Sequence, residues 1–180
     1  AVATIVAGLQ QGGVLAAAKH FPGQGAVTGN LAAGPASDAT TAAGSASLLP
    51  FRAAAGSDAD ALVVSSATFA KIDPAHPAVF SQAVLRLARE DVRFGNTLVA
   101  SDLAGKALSG VPAEQRLAAY VRAGGDVAIV GDAALLPAMV DRLVQEAADP
   151  AVAQRLTEAA SNALALKARA GLVSCTAVKG

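Results

Sequence analysis

The sequence predicts an α/β fold in which parallel strands alternate with helices. Four short apolar runs, rich in small and β-branched residues, are each bounded by glycine, polar or charged residues. Helical patterns, with apolar residues three and four positions apart, lie between these runs. Polar residues capable of chemistry follow most of the runs directly. Together these observations predict a series of βα units around a buried parallel sheet.

The elements follow one another in a regular order. Residues 1–6 resemble the middle of a helix. The predicted strands cover residues 14–19, 61–66, 97–101 and 126–130. The predicted helices cover residues 45–55, 81–91, 114–123, 134–148 and 150–170. Because a helix separates each pair of consecutive strands, the strands are expected to be parallel.

Four βα units allow two architectures. They can form half of a (β/α)8 barrel or a small doubly wound sheet. Residues 1–180 are predicted to be a single segment, shorter than the roughly 200 to 250 residues that a complete barrel needs. If the fold is a half barrel, the helix-like start suggests that the other half lies upstream.

The amino-acid composition argues against several classes of binding partner. The 14 Lys and Arg residues balance 14 Asp and Glu residues, so there is no bulk electrostatic case for binding nucleic acid or an anionic membrane. No apolar run approaches the roughly 18 to 20 residues of a membrane span. The single cysteine, Cys175, cannot close an intrachain disulfide. No Cys/His cluster has metal-site spacing, so no metal is predicted.

Residues at the ends of three predicted strands are the first candidates for a site. The carboxyl ends of parallel strands meet at one edge of the sheet, where ligands usually bind. These residues are Lys19 and His20, Ser65 and Ser66, and Ser101 and Asp102. A structural interpretation stays open for each: Lys19 could cap the sheet edge, His20 could bond to a turn, and Asp102 could be a helix N-cap.

The segment 23–50 is predicted to be a loop over these strand ends. It is crowded with Gly, Ala, Ser and Thr and contains one carboxylate, Asp38. Loops of this length are usually functional or disordered. Asp38 is therefore a further candidate for chemistry at the strand ends.

Four segments in order resemble family 3 glycoside hydrolases, especially the bacterial β-N-acetylglucosaminidases that trim peptidoglycan fragments. The first is Lys-His-Phe-Pro-Gly-Gln-Gly at 19–25, similar to the family signature. The others are the Ser-Ser-Ala strand and its following loop at 63–73, the strand ending in Ser-Asp at 98–103, and the Ala-Gly-x-Asp strand at 123–129.

The resemblance implies a fold and a set of roles. The fold would be the carboxyl-terminal half of a (β/α)8 barrel, and Asp102 would match the catalytic nucleophile. Lys19 and His20 would match positions that donate hydrogen bonds to sugar hydroxyls. The reaction would be retaining hydrolysis of a non-reducing β-linked sugar, N-acetylglucosamine or glucose, which uses two proton-handling or nucleophilic groups and no metal or organic cofactor.

One part of the family pattern is absent from the sequence. Relatives that recycle peptidoglycan carry an Asp-x-His pair in the loop after Lys-His, in which the His is the acid/base. By register from Lys19, that pair falls at Asn30-Leu31-Ala32, and neither Asn30 nor Ala32 can transfer a proton at neutral pH. Asp38 is then a candidate for a displaced acid/base, and His76 is interpreted as a surface residue.

Three hypotheses about function follow from the sequence. The first is a glycosidase acting on carbohydrate through Asp102, with the other barrel half or a second copy as partner. The second is a degenerate relative that binds cell-wall glycan or acts as a scaffold without catalysis. The third is a self-contained four-stranded domain that binds a small ligand at Lys19 and Asp102. The resemblance alone favours the cell envelope over the cytoplasm, and the sequence does not fix the compartment.

Overall fold

The computed structural model describes residues 1–173. Cys175 lies outside the described residues. The helices are α1 (Val2–Gln11), α2 (Leu49–Gly56), α3 (Gln82–Glu90), α4 (Arg116–Ala123), α5 (Leu136–Glu146) and α6 (Pro150–Arg169). The strands are β1 (Ala17–Phe21), β2 (Ser37–Asp38), β3 (Ala61–Val64), β4 (Thr68–Phe69), β5 (Asp73–Pro77), β6 (Thr97–Ala100) and β7 (Val127–Ala128).

Four strands form the main sheet in the order β1-β3-β6-β7, and every neighbouring pair is parallel. Each new strand of this sheet is therefore added on the same side of the one before it. A doubly wound sheet instead reverses direction at a switch point. The winding is that of a barrel, and four strands are half of the eight that close one.

Capping residues set the ends of several helices. The Ser81 hydroxyl accepts a hydrogen bond from the Val84 amide (3.2 Å) at the start of α3, and the Asp149 carboxylate caps α6 by accepting from the Ala151 amide (2.9 Å). Gly124 ends α4 with a positive φ of 112°, a conformation that disfavours other residues. The helices thus begin and end close to their predicted positions.

A second sheet lies between β1 and α3 in the chain, where a loop was expected. Its order is β2-β4-β5, with β2 parallel and β5 antiparallel to the central β4. Two of these strands have only two residues, so no apolar alternation marks them in the sequence. The segment 23–50 is consequently tied to the residues that follow β3.

A buried carboxylate holds the amino-terminal ends of the strands together. The Asp126 side chain is fully buried and accepts hydrogen bonds from the Leu98 amide (2.9 Å), from Arg89 (2.7 Å) and from Asn162 (2.9 Å). Arg155 on α6 pairs with the same carboxylate. This network joins α3, β6 and α6, because a buried charge must be fully paired to be tolerated.

Exposed apolar side chains flank both edges of the main sheet. Ile5 and Leu9 on α1 are 62% and 41% exposed near the β1 edge, and Ile129 and Val144 beyond β7 are 48% and 66% exposed. Both β1 and β7 lack a neighbour on their outer side within the described residues. No helix in residues 1–173 is long and apolar enough to cross a membrane.

Residues 1–180 produced as a separate segment are expected to self-associate, because open strand edges beside apolar surface promote association. Size-exclusion chromatography with light scattering should give a mass above the 17.6 kDa of one chain. The changes Ile129→Lys and Val144→Lys should shift the segment toward the monomer. Leu164→Lys, a matched change at an exposed position of α6, should not. A monodisperse, cooperatively unfolding monomer would instead favour a self-contained domain.

Candidate active site

The carboxyl ends of β1, β3 and β6 open into one cleft of about 550 Å³. Four of the six strand-end residues singled out in the sequence lie there, together with side chains from the loops that follow. The polar or charged side chains that line the cleft are His20, Gln24, Ser66, Ser101, Asp102 and Lys106. Lys19 is exposed and is not among the lining residues.

A buried aromatic residue fixes the end of β1. The Phe21 ring is fully buried and packs edge-on against Phe51 of α2, with ring centroids 5.2 Å apart at 88°. Two residues after Phe21, Gly23 adopts a positive φ of 128° and donates its amide to the His20 carbonyl (2.8 Å). This turn, expected from the Pro-Gly sequence, holds His20 beside the cleft.

The surroundings of His20 favour its neutral form at pH 7. Burial, and to a smaller extent the neighbouring Lys19 ammonium, lower the pKa of His20 below its usual 6.5. A neutral imidazole has one donor and one acceptor nitrogen, so it can bond to a hydroxyl in either sense. His20 therefore suits the binding of a polyol better than the binding of an anion.

Hydroxyl and amide groups connect the three strand ends. The Ser66 and Ser101 hydroxyls are 2.6 Å apart and join β3 to β6 across the floor of the cleft. Gln24 donates to the Ser65 hydroxyl (2.9 Å), which links the turn after β1 to the end of β3. These bonds fix the relative positions of the groups that line the cleft.

One oxygen of the Asp102 carboxylate is held by two backbone amides. Oδ1 accepts from the Ala104 amide (2.9 Å) and from the Gly131 amide (2.7 Å). Within residues 1–173, Oδ2 has no hydrogen-bond partner. The next helical turn begins at Lys106 and is capped by Gly105, so Asp102 is not a helix N-cap. The carboxylate is thus oriented with one oxygen free.

Arg116 supports the loop that carries Asp102. Its guanidinium donates to the carbonyls of Leu103 (2.8 Å) and Val111 (2.8 Å), and the residue is only 8% exposed. Burial lowers the pKa of Arg116, while the nearby Glu114 and Asp102 carboxylates oppose that shift. The carbonyl directly after Asp102 is thereby fixed by a buried, charged donor.

The structure does not place Asp38 among the residues of the cleft. Its carboxylate is fully buried and accepts hydrogen bonds from the amides and hydroxyls of Thr40 and Thr41. Burial alone would raise the pKa of Asp38, but the bonds from Thr41 and Thr40 outweigh it and lower the pKa to about 2. A carboxyl that stays ionised at neutral pH is a poor proton donor. This geometry favours a structural role for Asp38 over the displaced acid/base that the sequence allowed.

Asp38→Asn is expected to destabilise the protein by about 1 to 3 kcal/mol at pH 7, because an amide cannot accept all four bonds. The pKa of Asp38 falls from its ordinary value of 3.8 to about 2 on folding. The ionised carboxyl therefore stabilises the folded protein fully above about pH 3.8, and this stabilisation is lost as the pH falls through about 2. In urea unfolding, the difference in the free energy of unfolding between wild type and Asp38→Asn should be smaller at pH 2.5 than at pH 6. Loss of activity without loss of stability would restore Asp38 as a proton-transfer candidate.

Comparison with known proteins decides the family. The profile of the glycosyl hydrolase family 3 N-terminal domain matches residues 1–164. The chain belongs to glycosyl hydrolase family 3. Among curated proteins none matches the chain.

Several solved structures resemble this family 3 chain. A β-N-acetylhexosaminidase from Beutenbergia cavernae DSM 12333 is 32% identical, with a TM-score of 0.87 over 92% of this chain and 51% of that one. A family 3 β-N-acetylglucosaminidase from Paenibacillus sp. str. FPU-7 is 26% identical, with a TM-score of 0.85 over 99% of this chain and 35% of that one. A family 3 member from Mycobacterium smegmatis is 28% identical, with a TM-score of 0.76 over 88% and 52%. The chain thus spans about half or less of each structure.

The loop after β1 contributes Leu31 and Ala32 to the wall of the cleft. The positions at which a proton-transferring pair was expected from the sequence therefore border the cleft. The Asn30 side chain accepts from the Ala32 amide (3.0 Å) and serves as a turn cap. His76 is exposed and pairs through Nδ1 with Asp73 (3.1 Å), away from the lining residues.

Three residues at or beside this cleft were not found from the sequence. Lys106 lines the cleft, Arg116 fixes the Asp102 loop, and Gly131 donates to the Asp102 carboxylate. Arg116 lies in a helical pattern typical of a solvated face, and Gly131 follows a strand like any turn glycine. No local pattern marks either residue, because both act through contacts distant in sequence.

Proposed function

We propose that this chain carries the nucleophile of a retaining glycosidase that removes a non-reducing β-linked sugar, N-acetylglucosamine in preference to glucose. The observation that carries the proposal is the state of Asp102: a carboxylate at a strand end, in a cleft, with Oδ1 fixed by two amides and Oδ2 without a partner. Rigid orientation of this kind is what a covalent nucleophile requires.

The proposed reaction has two steps. In the first, Asp102 Oδ2 forms a bond to the anomeric carbon as the bond from that carbon to the leaving oxygen breaks, and the leaving oxygen takes the electron pair. In the second, a water oxygen bonds to the anomeric carbon as the ester bond to Asp102 breaks, Asp102 takes the electron pair back as a carboxylate, and the proton that the water loses neutralises the departed alkoxide, so the sugar is released with its original configuration. Two inversions at the same carbon account for retention.

Groups beside Asp102 would hold the sugar. The neutral His20 and the hydroxyls of Ser66 and Ser101 offer both donors and acceptors at the cleft wall. Lys19 is exposed one residue before His20, and a lysine ammonium on a flexible stem can donate hydrogen bonds to hydroxyls. We assign Lys19 and His20 to the non-reducing sugar on this basis and on their match to the family signature.

The similar structures support the proposed preference for N-acetylglucosamine. Two of the similar structures are described as a β-N-acetylhexosaminidase and a β-N-acetylglucosaminidase. Because this chain covers about half or less of those proteins, the complete site is proposed to include groups from a second barrel half. The exposed apolar surface beside β1 and β7 is consistent with such a partner.

The proposal is tested with the full-length protein and two substrates, an aryl β-N-acetylglucosaminide and an aryl β-glucoside. We expect cleavage of the first at a higher kcat/KM than the second. A fluorinated glycosyl fluoride, which forms a slowly hydrolysed glycosyl-enzyme, should add its sugar mass to the peptide containing Asp102. Absence of cleavage with both substrates, or labelling at another residue, would refute the assignment.

A second candidate function is glycan binding without turnover. It is favoured by one specific observation: Asn30 and Ala32 stand where the family pattern has a proton-transferring pair, and Ala32 lines the cleft. Loss of a general acid typically removes a factor of about 10² to 10⁴ in rate. Calorimetry that detects binding of N-acetylglucosamine oligomers with no product formed over days would support this function, and measurable turnover would exclude it.

A further inference from the structure

We propose that Gly131 is the positioning residue for the Asp102 nucleophile. The inference rests on the proposed function and extends it to a residue outside every sequence motif. Two independent observations meet at Gly131: its amide donates to one oxygen of the carboxylate, and its missing side chain leaves room for the other oxygen.

The hydrogen bonds select which oxygen reacts. The Gly131 amide and the Ala104 amide both donate to Oδ1, at 2.7 Å and 2.9 Å. The two donors come from different segments, one from the loop that carries Asp102 and one from the segment after β7. Both bonds would be lost if the carboxylate tilted out of its present plane, so one oxygen position stays held by the two amides and the other, that of Oδ2, is left for the anomeric carbon.

The position of residue 131 also leaves no room for a side chain. A Cβ built on Gly131 would lie 2.7 Å from Oδ2, 3.2 Å from Cγ and 3.3 Å from Oδ1 of Asp102. Contacts below 3.0 Å are essentially never made by real Cβ atoms. The backbone of Gly131 does not have a positive φ, so its conformation does not demand glycine. The need for glycine comes from the approach of the carboxylate.

The segment after β7 is itself fixed against the Asp102 loop. The Leu103 amide donates to the Ile129 carbonyl (2.8 Å), two residues before Gly131. Together with the bond from Gly131 to Asp102, it makes a two-point connection between the loops after β6 and β7. A displacement at Gly131 is therefore transmitted to the carboxylate rather than absorbed by a mobile loop.

Gly131→Ala in the full-length protein tests this role. The methyl group must push Oδ2 away, and a misplacement of about 1 Å can cost about 10²-fold in rate. We expect kcat for the aryl β-N-acetylglucosaminide to fall by about that factor, with KM and the melting temperature little changed. Gly110→Ala is the matched control, because a Cβ there meets nothing within 4 Å and its φ is not positive. That control should keep wild-type kcat.

A second variant separates the hydrogen bond from the added volume. Replacing Gly131 by glycolic acid exchanges the amide N–H for an ester oxygen without adding a methyl group. We expect kcat to fall about tenfold with KM unchanged, since one of two charge-assisted bonds is removed. This variant also decides the question if Gly131→Ala does not fold.

The possible outcomes distinguish failure of the proposed function from failure of the positioning role of Gly131. If Asp102→Asn leaves cleavage unchanged, the proposed function is wrong. If Asp102→Asn abolishes cleavage while both changes at Gly131 keep kcat within threefold of wild type, the nucleophile stands and the positioning role of Gly131 is overturned. A loss confined to KM would also overturn it, because it would place Gly131 in substrate binding.

Discussion

Asp102→Asn in the full-length protein is expected to lower kcat for an aryl β-N-acetylglucosaminide on the order of 10⁴-fold or more, as loss of a nucleophile does in other hydrolases. An amide has no anionic oxygen to form the glycosyl-enzyme. The Asn oxygen can still accept from the Ala104 and Gly131 amides, so the loop should keep its geometry. Steady-state kinetics together with thermal melting would separate loss of chemistry from loss of fold.

Two further measurements make this result specific to the nucleophile. Asp132→Asn is the matched control, because Asp132 is an exposed carboxylate that caps the helical turn before α5 by accepting from Ala134 (3.0 Å). It should keep wild-type kcat. In Asp102→Gly, added azide should attack the anomeric carbon from the vacated side and give an α-glycosyl azide. Activity of Asp102→Asn within tenfold of wild type would mean that another group is the nucleophile.

The parts of the fold that depend on apolar periodicity could be predicted from the sequence. β3 and β6 are central in the sheet, and their observed ranges lie within the predicted runs. The edge strands, β1 and β7, differ more from their predicted ranges. β1 begins at Ala17 rather than residue 14, because Val14 is exposed in the connection from α1. β7 is limited to two residues, and directly after it the Ile129 carbonyl accepts from the Leu103 amide of the Asp102 loop.

The placement of the site at the strand ends could also be predicted, but not its supporting contacts. Asp102 and His20 were expected at the carboxyl edge of the sheet, and both line the cleft. The β2-β4-β5 sheet could not be expected, since two-residue strands are defined only by their partners. The same holds for Gly131, which matters through an oxygen that lies 29 residues away in sequence.

The second large effect is a gain of activity. Asn30→Asp combined with Ala32→His is expected to raise kcat by about 10² to 10⁴-fold for glycosides with poor leaving groups. Ala32 lines the cleft, so Ala32→His would place an imidazole on the cleft wall. The oxygen of an Asp at position 30 can keep the turn bond from the Ala32 amide that Asn30 now accepts. Its negative charge would also hold the imidazole in the tautomer that donates from the far nitrogen.

The dependence on leaving group tests the cause of that gain. A dinitrophenolate departs without a proton, whereas the sugar alkoxide of a chitooligosaccharide needs one, so the increase should be large for the oligosaccharide and near unity for the dinitrophenyl glycoside. Ala33→His is the matched control, because residue 33 follows on the same loop and is not among the lining residues. An equal increase for both substrates would point to better sugar binding. No increase for either would mean that a second barrel half already supplies the acid, since a proton donor added to a site that has one gains nothing.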